Sequence, residues 1–141
     1  MRQAHAERDM HDVIRVVLAD DHPIVRDALR RLVNAQADMR VVGEAEDGEM
    51  ACQSARHLLP DVVVMDLSMP KLNGVQATER LRNECPDVKV VVLTVHEERH
   101  YLTQLLRAGA AGYVLKRAAP SELVQAVRTV ATGGTYIDPG I

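Results

Sequence analysis

Asp20-Asp21, Asp66, Thr94 and Lys116 each stand at the downstream end of an apolar run, after Val16-Val17-Leu18-Ala19, Val62-Val63-Val64-Met65, Val90-Val91-Val92-Leu93 and Tyr113-Val114-Leu115. Three carboxylates gathered in one place repel one another and resist ionisation unless a cation neutralises them. Mg²⁺ answers that need, because it prefers oxygen ligands and is often held by one or two carboxylates plus a phosphate oxygen. Lys116 adds a point charge suited to a phosphoryl oxygen, and the Thr94 hydroxyl adds a rotatable donor. Such parts make a phosphoryl-transfer site, where positioning and charge neutralisation do most of the catalysis. One carboxylate could then serve as nucleophile and form an aspartyl-phosphate. Singly, each residue has a duller account: Asp21 as a helix cap, Asp66 as a turn residue, Thr94 as strand, Lys116 as surface charge. Jointly, at the ends of neighbouring strands, they are hard to attribute to coincidence.

The elements that must position them follow from periodicity. Val13–Leu18 reads as a strand; Pro23 suits the first turn of a helix whose apolar face is Ile24, Val25, Ala28, Leu29, Leu32 and Val33. Val41-Val42-Gly43 predicts a short strand, followed by a helix carrying Met50, Ala51, Ala55 and Leu58. Val62–Met65 is a third strand, and Gly74 precedes a helix with Val75, Thr78 and Leu81 inward. Val88–Leu93 is a fourth, leading to a helix with Tyr101, Leu102, Leu105 and Leu106 together. Tyr113–Leu115 is the fifth, and Pro120-Ser121 opens a last helix with face Leu123, Val124, Val127, Val130 and Ala131. Five strands alternating with five helices, the inner strands almost wholly apolar, predict a parallel α/β sheet covered on both faces. Right-handed crossovers put every C-terminal strand end on one edge, where such sheets place their sites.

Composition narrows the function classes. The chain has 141 residues, enough for one domain. Its 20 acidic and 17 basic residues leave a net charge of −3, a poor grip for nucleic acid or anionic membrane. Three Tyr with no Phe or Trp argue against base-stacking platforms. No apolar run approaches a membrane span, and the polar start lacks the apolar stretch of a secretory signal. Cys52 and Cys85, without a C-x-x-C, read as reduced thiols of a cytoplasmic protein. Residues 1–12 read as a flexible polar arm, and 133–141, with Gly133-Gly134 and Pro139-Gly140, as the start of an interdomain linker.

Asp20-Asp21, Asp66-Leu67-Ser68-Met69-Pro70 with Gly74, Thr94, and Gly112-Tyr113-Val114-Leu115-Lys116 together resemble the receiver domain of two-component response regulators. The resemblance covers residues 13–132. Asp21-His22-Pro23, Ala108-Gly109-Ala110-Ala111-Gly112-Tyr113 and Gly133-Gly134-Thr135-Tyr136-Ile137 are similar to the subfamily with LuxR/NarL-type outputs. It implies a flavodoxin-like, doubly wound (βα)5 domain with five parallel strands in the order 2-1-3-4-5. It further implies that Asp66 accepts a phosphoryl group from a sensor histidine kinase. Asp20, Asp21, Asp66 and the backbone carbonyl of Ser68 would hold Mg²⁺, or Mn²⁺ in its place. Thr94 and Lys116 would contact the phosphoryl oxygens, and Tyr113 would act with Thr94 as a switch; on its residues alone Tyr113 reads equally as a half-buried strand aromatic. Homodimerisation on activation through the fourth helix, fifth strand and fifth helix is implied, with DNA reached only through an output domain beyond Ile141. The expected protein is a cytoplasmic phosphoacceptor rather than an enzyme, with slow self-catalysed phosphoryl transfer and dephosphorylation at most and no small-molecule substrate except phosphodonors. A stand-alone receiver acting by protein contacts is the alternative. Arg117 stands where many receivers carry Pro, and Val95 is bulkier than the Ala or Gly common there.

Rival readings fit less well. His96-Glu97-Glu98-Arg99-His100 matches the H-E-x-x-H zinc-protease signature, but it starts two residues after a strand end and lacks a downstream third ligand. A haloacid-dehalogenase-like phosphatase places its acids as D-x-D after the first strand, whereas here they are adjacent. A flavodoxin-like binder would need a Ser/Thr-rich phosphate loop after strand one. Neither a G-x-G-x-x-G nor a Walker A sequence occurs.

Overall fold

A computed structural model of the chain describes residues 13–141, so the arm expected at 1–12 lies outside the described residues. Strands β1 (Ile14–Ala19), β2 (Met39–Ala45), β3 (Val62–Asp66), β4 (Lys89–Thr94) and β5 (Gly112–Leu115) alternate with helices α1 (Pro23–Asn34), α2 (Gly48–Leu58), α3 (Gly74–Glu84), α4 (Arg99–Ala108) and α5 (Pro120–Ala131). All pairings are parallel. A sixth strand, β6 (Tyr136–Ile137), pairs beside β5 and gives the order β2-β1-β3-β4-β5-β6. The expectation of five strands is thus corrected by one. The addition comes from the stretch read as linker, whose backbone completes hydrogen bonds that the edge of β5 would otherwise leave to solvent: Tyr136 N–H donates to Ala111 O at 3.0 Å and Asp138 N–H to Tyr113 O at 2.8 Å.

Alternation along the strands sends side chains to two cores. Val17, Ala19, Val63, Met65, Val90, Val92 and Tyr113 pack against α2, α3 and α4. Val16, Leu18, Val62, Val64, Val91, Leu93 and Val114 pack against α1 and α5. Local chemistry starts four of the five helices where the sheet needs them. Pro23 and Pro120 stand in the first turns of α1 and α5, Asp47 caps α2 by accepting from Met50 N–H, and Asn73 and Gln76 form a reciprocal capping box on α3. Gly109, left-handed at φ 107°, ends α4.

Four residues expected on inward faces are turned outward. Ile24 is 85% exposed because it lies in the first turn of α1, beyond the end of β1, where no strand lies beneath it. Ala28, Met50 and Leu106 are also exposed, at the margins of their helix faces. No helix among the described residues is long and apolar enough to cross a membrane.

Candidate functional site

Register brings the distant acids together. Ala19 pairs with Met65 and Asp66 with Leu93, while Thr94 pairs with Leu115, so Asp20, Asp66, Thr94 and Lys116 stand on one rim of four adjacent strands. Asp20, 1% exposed, is fixed through its backbone: its N–H donates to Ala45 O at 3.0 Å, and its carbonyl accepts from Arg26 Nη1 at 2.7 Å. Asp66, also buried, accepts the Ser68 N–H on Oδ1 at 3.2 Å. Lys116 reaches across from β5 and places Nζ 3.2 Å from Asp66 Oδ2 and 3.6 Å from Asp20 Oδ2. Gly74 permits the return of the loop after Asp66. A Cβ there would stand 2.8 Å from Leu67 Cα, and Gly74 N–H instead donates to Leu67 O at 2.9 Å.

Burial pushes the Asp66 carboxyl above its ordinary pKa, and the neighbouring Asp20 charge adds to this. The Lys116 ammonium and the Ser68 N–H offset that rise only in part. The cluster therefore holds more negative charge than one lysine neutralises. Asp20 Oδ2 is buried and has no hydrogen-bond donor, and the buried Asp21 Oδ1 lies 3.1 Å from His22 Nδ1. Asp20, Asp21, His22 and Asp66 can each offer one donor atom within 4.8 Å of the others. An oxygen-rich, under-neutralised set of that size fits a hard divalent cation. His22 was not singled out from the sequence as a site residue; its place directly after the acid pair was the one available signal.

Thr94 and Tyr113 converge on one residue of the loop after β4. Thr94 Oγ1 accepts the His96 N–H at 3.0 Å, and the Tyr113 hydroxyl donates to the His96 carbonyl at 2.7 Å. Tyr113 is 1% exposed, deeper than the half-buried position its strand suggested, because α4 and this loop roof it. Ser68 is exposed beside Asp66. His96 lies in the loop and His100 in the first turn of α4, so no helix carries both. Their rings instead both lie against the Tyr101 ring, with centroids 4.3 and 4.2 Å from it.

The fold and rim define an α/β domain with a cluster of acids and one lysine at the carboxyl edge of its parallel sheet, and the comparisons place it. Residues 16–128 match the response regulator receiver domain, and the chain belongs to that family. Its LuxR/NarL-type affinity is borne out by its relatives. The transcriptional regulatory protein DegU of Brevibacillus brevis is 43% identical over 128 residues, covering 91% of this chain and 54% of its own. The response regulator GacA of Pseudomonas viridiflava is 47% identical over 129 residues, covering 92% and 60%. Among solved structures, a LuxR-family two-component response regulator from Aurantimonas sp. SI85-9A1 is similar at TM-score 0.87 and 38% identity, covering 91% of both chains. The signal receiver domain of the putative response regulator NarL from Mycobacterium tuberculosis is similar at TM-score 0.84 and 36% identity, covering 86% of this chain and 98% of that one. The chain spans little more than half the length of the curated relatives it matches.

Proposed function

We propose that this chain is the phosphorylation-controlled part of a transcriptional regulator and that Asp66 takes a phosphoryl group from a sensor histidine kinase. The observation that carries this reading is the convergence of Lys116 on Asp66 and Asp20 at 3.2 and 3.6 Å, where Asp20 Oδ2 is buried without a hydrogen-bond donor. Asp20, Asp21 and Asp66, with the Ser68 carbonyl, are the residues that would hold Mg²⁺ or Mn²⁺. When bound, the cation neutralises the carboxylates and an oxygen of the incoming phosphoryl group.

An ionised Asp66 oxygen attacks phosphorus in line; the P–N bond to the donor imidazole breaks, the imidazole leaves with the electron pair and takes up a proton, and an acyl phosphate remains. Lys116 steadies the oxygens that gain charge. The product adds about −1.5 to −2 charge and three strong acceptors. Thr94, whose hydroxyl can both donate and accept, then turns its proton to one of them. Since Thr94 also holds His96 N–H and Tyr113 holds His96 O, the loop and Tyr113 shift as one unit. The surface around α4, β5 and α5 changes with them and is the proposed dimer face; the linker leads from there to a DNA-binding output beyond Ile141. The chain acts as a phosphoacceptor with slow self-dephosphorylation at most, in the cytoplasm.

Incubation with acetyl phosphate and Mg²⁺, followed by intact mass, should add one phosphoryl group per chain. The gain should vanish with a chelator and in Asp66→Asn. Labelling of Asp66→Asn at undiminished yield would refute the assignment.

A further inference from the structure

His22 stands immediately before α1, in extended backbone at φ −103° and ψ 109°, yet its side chain makes no capping bond to the helix. The ring turns back on the acids instead. Nδ1 lies 3.0 Å from Asp20 Oδ1 and 3.1 Å from Asp21 Oδ1. Donors around a six-coordinate ion with bonds of about 2.1 Å are about 3.0 Å apart when adjacent and about 4.2 Å when opposite. The two observed separations match the adjacent edges, and the 4.8 Å span of the four donors needs only a small contraction. Independently, Asp20 Oδ2 belongs to a side chain 1% exposed and has no hydrogen-bond donor, the Lys116 ammonium standing off at 3.6 Å, so a buried carboxylate oxygen is aimed into the same cluster.

We infer that His22 is a further ligand of this cation site, through Nδ1, and that it biases the site toward late first-row divalent cations of the Co²⁺ and Ni²⁺ kind. The inference rests on the cation site proposed above. Three carboxylates alone suit Mg²⁺ and Mn²⁺, whereas imidazole nitrogen adds strength chiefly to the later ions of the row. Mg²⁺ sheds its waters reluctantly and gains little from a nitrogen ligand. The neutral ring binds through Nδ1 and keeps its proton on Nε2. One side chain thus lets the same acids hold two classes of ion at different strengths.

The test is calorimetric titration of the full chain with Mg²⁺ and with Co²⁺, for wild type, His22→Ala, His22→Asn and Asp21→Asn, with pulsed electron paramagnetic resonance of the Mn²⁺-loaded protein. His22→Ala and His22→Asn should each raise the Co²⁺ dissociation constant about tenfold or more while moving that of Mg²⁺ by less than about twofold. Nitrogen coupling on Mn²⁺ should be present in wild type and absent from both His22 variants. His22 is 61% exposed at its side chain, so both variants should fold, and circular dichroism checks this. Equal shifts for the two ions, or no nitrogen coupling in wild type, would show that His22 only orients the carboxylates by a hydrogen bond and would overturn the inference alone. Ions that bind Asp21→Asn as tightly as wild type would overturn the carboxylate site itself, and this inference with it.

Discussion

The hydroxyl of Tyr113 donates to the backbone carbonyl of His96 at 2.7 Å, while the N–H of the same His96 is held by Thr94 at 3.0 Å. Strand β5 and strand β4 thereby grip the loop between them and α4 from both sides. Burial pushes the Tyr113 phenol from its ordinary value up to about 12, with Glu98 and Tyr101 adding to the rise. The folded chain therefore keeps this proton where the unfolded chain loses it. Its contribution to stability is full below about pH 10 and disappears as pH climbs to about 12. Tyr113→Phe should cost about 0.5–1.5 kcal/mol near neutrality, and the gap to wild type should close across that alkaline window. Urea midpoints of both proteins at several pH values measure it. A gap that stays constant or widens would show that the phenol is not what titrates.

Asp138 ties β6 to the strand that carries Lys116. Its Oδ2 accepts the buried Leu115 N–H at 2.9 Å and its Oδ1 the Gly140 N–H at 2.8 Å. Asp138→Ala leaves the Leu115 donor unsatisfied, which costs about 1–3 kcal/mol. Asp138→Asn retains one acceptor and should lose less. Denaturant unfolding of the two variants side by side is the measurement, and equal, negligible losses would mean that β6 frays from the sheet in solution.

Divalent ions should stabilise the fold. A cation that binds only the folded chain adds about 2.7 kcal/mol at a concentration 100 times its dissociation constant. The thermal midpoint of wild type should rise with Mg²⁺ and return on adding a chelator. Asp66→Asn should show a higher midpoint than wild type without Mg²⁺, since it removes a buried charge facing Asp20, and a smaller response to the ion. An undiminished Mg²⁺ response in Asp66→Asn would remove that carboxylate from the site.

Both cysteines should be inert in the native protein. Cys52 is 0% exposed, and burial pushes its thiol to about 11; Cys85, 7% exposed, is also shifted upward by burial. A thiol reagent at neutral pH should label neither until denaturant is added, when both should react. Fast labelling of the folded chain at either position, counted by mass, contradicts the packing described.

Much of this was legible before the coordinates because the pattern repeats. Runs such as Val62–Met65 and Val90–Leu93 have no polar face, so they had to be covered on both sides, and a polar residue closing each run had to fall on the same rim. Strand β6 was illegible for the opposite reason. Tyr136–Ile137 is two residues between a Gly pair and Pro139, too short for any period, and it exists only because β5 offers a free edge. The outward turn of Ile24 has a similar cause, since helical spacing marks an apolar face but not where the sheet beneath it stops.

By itself the sequence determined the alternation of elements, the parallel sheet and the identity of the five polar residues on its edge, because hydrophobic period and strand ends are local properties of the chain. Tertiary structure alone decided that Lys116 lies between Asp66 and Asp20, that the His22 ring folds back on the acids, and that Thr94 and Tyr113 share His96. Those are relations between side chains on different elements. They depend on register, rotamer and the depth of packing, which a linear pattern of apolar and polar residues does not encode.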